Sequence, residues 1–99
     1  MKLVENRVEN VITISIEGRV DTNTSPDLQA AILKAFQKVN SLVLDFGQCD
    51  YVSSAGLRAL LIGQKTANSK KGSMKLTQVQ PSVKSVFDMS GFSNLLTIE

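Results

Sequence analysis

The run Leu42-Val43-Leu44 constrains this chain most, because it is short, apolar and uninterrupted, and a helix-period stripe lies on either side of it. An unbroken apolar strand is expected to be covered on both faces, as in sheets whose parallel strands are joined by helical crossovers. Upstream, Leu28, Ala31, Ile32, Ala35, Phe36 and Val39 recur at helical spacing, and downstream Leu57, Leu60, Leu61 and Ala67 do the same. Helix, buried strand and helix in that order predict an α/β domain.

The flanking segments extend the pattern. Val8 and Val11 bracket Glu9-Asn10 as a hairpin turn, and Ile12, Ile14 and Ile16 alternate with Thr13, Ser15 and Glu17 as a half-buried strand that Gly18 is expected to end. Ser25-Pro26-Asp27 combines a capping serine, a first-turn proline and an acid at the positive end of the helix dipole. Asp45 is placed at the carboxyl end of the central strand, followed by a loop through Tyr51. The turn Asn68-Ser69-Lys70-Lys71-Gly72 interrupts the second helix, and Met74 and Leu76 alternate with Lys75 and Thr77 in the next strand. Pro81 opens a third helix with Val83, Val86 and Phe87 facing inward, Gly91 suits its carboxyl cap, and Leu95-Leu96-Thr97-Ile98 reads as the last strand. The expected architecture is one small domain over residues 1–99: a mixed, mostly parallel β-sheet with an N-terminal hairpin, about three helices and right-handed crossovers.

Ninety-nine residues, 42% of them hydrophobic, suffice for one core and no second domain. No apolar run approaches the length that crosses a bilayer, and Met1-Lys2-Leu3-Val4-Glu5-Asn6 lacks the hydrophobic region of a signal peptide, so no membrane insertion and a cytoplasmic location are expected. A net charge of +2 is too small and too dispersed to imply nucleic-acid binding, and Lys70-Lys71 reads as a solvated turn. The absence of histidine removes the commonest general base, and the single Cys49 has no partner for an internal disulfide and no metal-site companions. Asp21, Asp45, Asp50 and Asp88 lie near turns, where capping and solvation explain them as well as a metal or acid/base cluster would. No phosphate-cradling glycine loop or dinucleotide fingerprint is present. A binding protein without cofactor or metal is expected, not an enzyme.

Asp50-Tyr51-Val52-Ser53-Ser54-Ala55-Gly56-Leu57-Arg58 places two adjacent hydroxyls where a polar loop becomes an apolar helix. The first N–H groups of a helix lack intrahelical partners and its dipole favours negative charge there. A serine at such a junction either caps the helix or carries a phosphoryl group without unfolding it.

Three ordered motifs, Gly18-Arg19-Val20-Asp21, Ser53-Ser54-Ala55-Gly56-Leu57 and the helix from Pro81 to Gly91, together resemble the STAS family, specifically its bacterial anti-sigma-factor antagonists. The resemblance implies an unphosphorylated form that captures an anti-sigma factor, a serine kinase of the histidine-kinase-like ATPase fold, and so releases a sigma factor. Phosphorylation of one serine would end the capture, and a metal-dependent serine phosphatase would restore it. The matching position is Ser54. Many antagonists carry Asp immediately before the target serine where this chain has Ser53, which leaves Ser53 as the alternative acceptor. By the same resemblance Asp21, Thr22, Asn23, Ser53, Ser54, Gly56 and Arg58 would face the kinase, while capping, helix packing and plain exposure remain open for each. The other implied role is an unphosphorylated STAS scaffold in a transport or signalling complex.

Overall fold

Alternation sets the sheet. Ile12, Ile14 and Ile16 point to one side of their strand and are buried, whereas Thr13, Ser15 and Glu17 on the other side keep part of their surface open. The computed structural model describes residues 1–99, with strands β1 (Lys2–Val8), β2 (Val11–Val20), β3 (Ser41–Val52), β4 (Ser73–Thr77) and β5 (Thr97–Ile98). Between them lie helices α1 (Ser25–Phe36), α2 (Ser54–Ser69) and α3 (Pro81–Ser90), and a short 3₁₀ turn at Phe92–Asn94.

The strands stand in the sheet in chain order, β1-β2-β3-β4-β5; β1 and β2 are antiparallel and all other pairs parallel. Three successive crossovers of one hand, each stepping the same way, must lay all three helices on one face. The burial agrees: Ile14, Leu42, Leu44, Phe46, Met74 and Leu76 join residues from all three helices in one core of 22 side chains. Phe87 of α3 meets Phe46 of β3 edge to face, with ring centroids 6.3 Å apart.

The expected fold class therefore stands, with local corrections. Leu42 and Leu44 are fully buried but Val43 is only partly so, because the second face of the sheet has no helical layer. Neither Gly18 nor Asp45 ends a strand. The ten residues of β2 pair with the twelve of β3 through two register shifts, each adding one residue on β3. Gly18 sits beside one shift with φ +106°, a conformation that favours glycine, and Asp45 Oδ1 accepts the Gly47 N–H at 2.8 Å beside the other.

Ser25 is the first buried residue of α1 rather than its cap. The helix α2 continues through Asn68 and Ser69 before Lys70 caps it. Val86 is exposed on α3, whereas Gly91 is its left-handed carboxyl cap at φ +78°. The final strand contains only Thr97 and Ile98; of the two leucines before it, Leu96 is buried and Leu95 exposed.

Leu44→Ala is expected to cost about 2–5 kcal/mol by denaturant unfolding, since it empties space inside a closed core. Val43→Ala, one residue away on the open face, should cost about 1.5 kcal/mol at most. Equal losses would contradict a one-sided sheet.

Candidate functional site

The parallel strands β2 and β3 end side by side, with Val20 paired to Val52, and each chain then turns into a helix. The segments Asp21–Thr24 and Ser53–Arg58 are thereby brought together at the carboxyl ends of neighbouring strands, a position where α/β folds present binding groups. The Ser53 N–H donates to Val20 O at 2.8 Å, tying the two turns.

Asp21 and Thr24 form a reciprocal cap. Asp21 Oδ1 accepts the N–H of Asn23 and of Thr24, each at 3.0 Å, while Thr24 Oγ1 accepts the Asp21 N–H at 2.9 Å. The Ser25 N–H donates to Asp21 O, so a turn closed by Asp21 and Thr24 leads directly into α1, whose N-cap residue is Thr24 rather than Ser25 and makes no side-chain cap bond to the helix. The backbone N–H of Thr24, more than any other group, holds the Asp21 carboxyl below its ordinary range. Its stabilising contribution is therefore present above the unfolded-state pKa and is lost as pH falls through the lower folded one. Thr22 and Asn23 are exposed at the crest of this turn.

At the second turn the two hydroxyls have different tasks. Ser53, in extended conformation, is the N-cap of α2, and its Oγ accepts the Gly56 N–H at 3.2 Å. Ser54 is the first helical residue, is exposed, and its hydroxyl makes no hydrogen bond within the protein. By helix geometry the N–H groups of Ser54 and Ala55 have no intrahelical partner, and no acidic residue occupies this first turn. Arg58 is exposed four residues after Ser54, on the same side of the helix.

Gly56 is buried. A Cβ there would lie 2.8 Å from Val20 Cγ1, 2.9 Å from Val52 Cγ1 and 3.2 Å from Val20 O. Its smallness thus serves the contact between α2 and the strand ends inside the domain. Two neighbours were not singled out from the sequence: the Arg19 guanidinium lies 4.1 Å from the centre of the Tyr51 ring, and both residues are exposed. Only the register shift that pairs Arg19 with Tyr51 makes them adjacent, and no spacing rule announces it.

Cys49 is fully buried beneath this end of the sheet, and burial pushes its thiol above the ordinary range. No group of three or more His, Cys, Asp or Glu side chains is placed to hold a metal ion. No helix is long and apolar enough to cross a membrane.

The family model described as "Mlab, STAS domain" matches residues 3–97. The chain belongs to the STAS family. A protein of Bordetella bronchiseptica, BtrV, named provisionally as an anti-sigma factor antagonist, is 31% identical over 99 residues, covering 99% of this chain and 85% of that protein. The anti-sigma F factor antagonist of Paenibacillus polymyxa is 29% identical over 90 residues, covering 89% and 77%. Among solved structures, the Bacillus cell fate determinant SpoIIAA in its phosphorylated form superposes with a TM-score of 0.77 at 20% identity, over 99% of this chain and 91% of that one. The unphosphorylated form of the anti-sigma factor antagonist SpoIIAA gives 0.78 at 19% identity, over 99% and 87%. The STAS fold and the kinship with antagonists implied by the three motifs are thus borne out.

The two hydroxyls give separate expectations for stability. Ser53→Ala should lose about 0.5–2 kcal/mol, the usual cost of removing an N-cap. Ser54→Ala should stay within about 0.5 kcal/mol of the parent in the same denaturant titration. The reverse order would show that Ser54 caps the helix.

Proposed function

We propose that this STAS domain is an anti-sigma-factor antagonist switched by phosphorylation of Ser54. In its unphosphorylated form it captures an anti-sigma factor that is itself a serine kinase of the histidine-kinase-like ATPase fold, and a sigma factor is released. A metal-dependent serine phosphatase returns the phosphorylated protein to the binding form. The observation that carries this reading is the free, exposed Ser54 hydroxyl at the first position of a 16-residue helix, next to a Ser53 hydroxyl already committed to the cap. The relatives' names, anti-sigma factor antagonists, supply the partner class.

Local electrostatics favours such a switch. A phosphoryl group adds about −1.5 to −2 charge and three acceptor oxygens. At Ser54 it would meet the positive end of the α2 dipole and two free N–H groups, with Arg58 one turn along. The domain therefore keeps its fold, and the charge acts across the interface. A surface fitted to a hydroxyl loses affinity through repulsion and bulk, at about 1.4 kcal/mol for each tenfold. Asp21, Thr22, Asn23 and Arg58 form the surrounding contact surface, while Gly56 supports it from beneath.

Incubation with the cognate kinase and ATP, followed by mass-spectrometric site mapping, tests the assignment. One phosphate is expected on Ser54, labelling should survive Ser53→Ala, and Ser54→Ala should abolish it. Labelling that disappears only in Ser53→Ala would transfer the acceptor role by one residue. No labelling at either serine would favour an unphosphorylated scaffold.

A further inference from the structure

The seven residues of β1 form one edge of the sheet, whereas β5 at the other edge has only two. Natural sheets usually blunt a long edge with a bulge, a proline or charged side chains, because its unpaired N–H and C=O groups otherwise recruit another strand; charges of both signs do so only in registers that bring like charges together. The strand β1 has no proline, pairs with β2 without a register shift, and carries charges of both signs at Lys2, Glu5 and Arg7.

The hairpin determines which groups point outward. The turn Glu9-Asn10, with Glu9 at φ +55°, closes on the pair Val8 and Val11. A two-residue turn closes on a pair that exchanges both hydrogen bonds, and such pairs then alternate along the ladder. Val8, Asn6 and Val4 therefore bond to β2, while Arg7, Glu5 and Leu3 turn their N–H and C=O groups to the open edge.

Self-pairing of this edge about a two-fold axis must place one residue opposite its own copy. An axis at Glu5 opposes two carboxylates, and an axis at Arg7 opposes two guanidinium groups. An axis at Val4 sets Glu5 against Leu3, so no opposite charges meet. Only an axis at Asn6 sets Glu5 against Arg7, twice by symmetry, and does so on the outward-bonding residues. The same register places Val4 against Val8, also twice, on the open face of the sheet. Val4 is 42% exposed, Val8 64%, and Val11 beside Val8 38%. Neither charge has a strong competing partner: Glu5 approaches Lys38 at 3.8 Å with both side chains exposed, and Arg7 Nε donates to Glu9 O at the surface.

We propose that β1 is a homodimerisation edge, pairing antiparallel with β1 of a second copy about an axis at Asn6, so that the two sheets become one. The contact is small, and the dimer is correspondingly weak and concentration-dependent. Asn6 pairs with Thr13, seven residues before Val20, or about 23 Å along the strand. The Ser54 ends therefore point away from each other and stay open.

Analytical ultracentrifugation of the full chain, from micromolar to about millimolar concentration, tests this against its charge swap. The parent should show reversible dimerisation. Glu5→Arg and Arg7→Glu should each raise the dimer dissociation constant about tenfold or more, and the double variant should return close to the parent. A parent that stays monomeric throughout, single variants that dimerise as well as the parent, or a swap that fails to restore the dimer would each overturn the proposal. Hydrogen exchange on the unmodified chain gives an independent reading. The Glu5 and Arg7 amides should gain protection as concentration rises, while that of Asn6 is protected throughout; concentration-independent exchange at Glu5 and Arg7 would also overturn it.

Discussion

The close approach of α2 to the ends of β2 and β3 is the contact on which the rest of this surface depends. It is possible because residue 56 has no side chain: any Cβ would come within 3 Å of both Val20 and Val52. With that approach, the Ser53 N–H reaches Val20 O, the Ser53 hydroxyl reaches the Gly56 N–H, and the first turn of α2 rests on the strand pair. Ser54 is then held outward on a rigid base. An exposed hydroxyl on a fixed helix terminus differs from one on a mobile loop, because modification changes charge without changing where the charge sits.

Two adjacent turns share this end of the domain, and both spend polar side chains on satisfying backbone N–H groups where a strand gives way to a helix. Asp21 and Thr24 close the turn that leads into α1, and Ser53 caps α2. Of the two serines at the start of α2, Ser54 is the one whose hydroxyl is left over. That division explains how a phosphoryl group could be added without loss of a cap, and why its effect is expected in recognition rather than in folding. Arg19 over the Tyr51 ring adds an exposed cation and an exposed aromatic ring to the same end, the residue types that most often anchor protein interfaces.

Strong periodicity made most of the fold legible. Ile12, Ile14 and Ile16, the stripe from Leu28 to Phe36, and the punctuation at Pro81 and Gly91 each led to the observed element. The second half of β3 was hidden because its buried positions run 42, 44, 46, 49 and 52, so two bulges convert a spacing of two into three and erase the strand signal. Polar Gly47, Gln48 and Asp50 then read as a loop. Val43 looked like half of a two-sided core because apolar continuity in three residues cannot tell a covered face from a partly open one. At the site, the Ser53-Ser54 junction was visible as a helix start, but which hydroxyl caps it depends on one extended residue at Ser53. Placement of the proposed acceptor at Ser54 rests on the resemblance to the antagonists.

The account turns on a phosphate that alters recognition while leaving the fold alone. The most direct measurement is a calorimetric titration of the cognate kinase with stoichiometrically Ser54-phosphorylated protein and with the unmodified protein, alongside thermal unfolding of both. The account predicts closely similar melting temperatures and an affinity at least about tenfold weaker for the phosphoprotein, a loss of about 1.4 kcal/mol or more. Undiminished binding, or weaker binding accompanied by collapse of the melting transition, would contradict it.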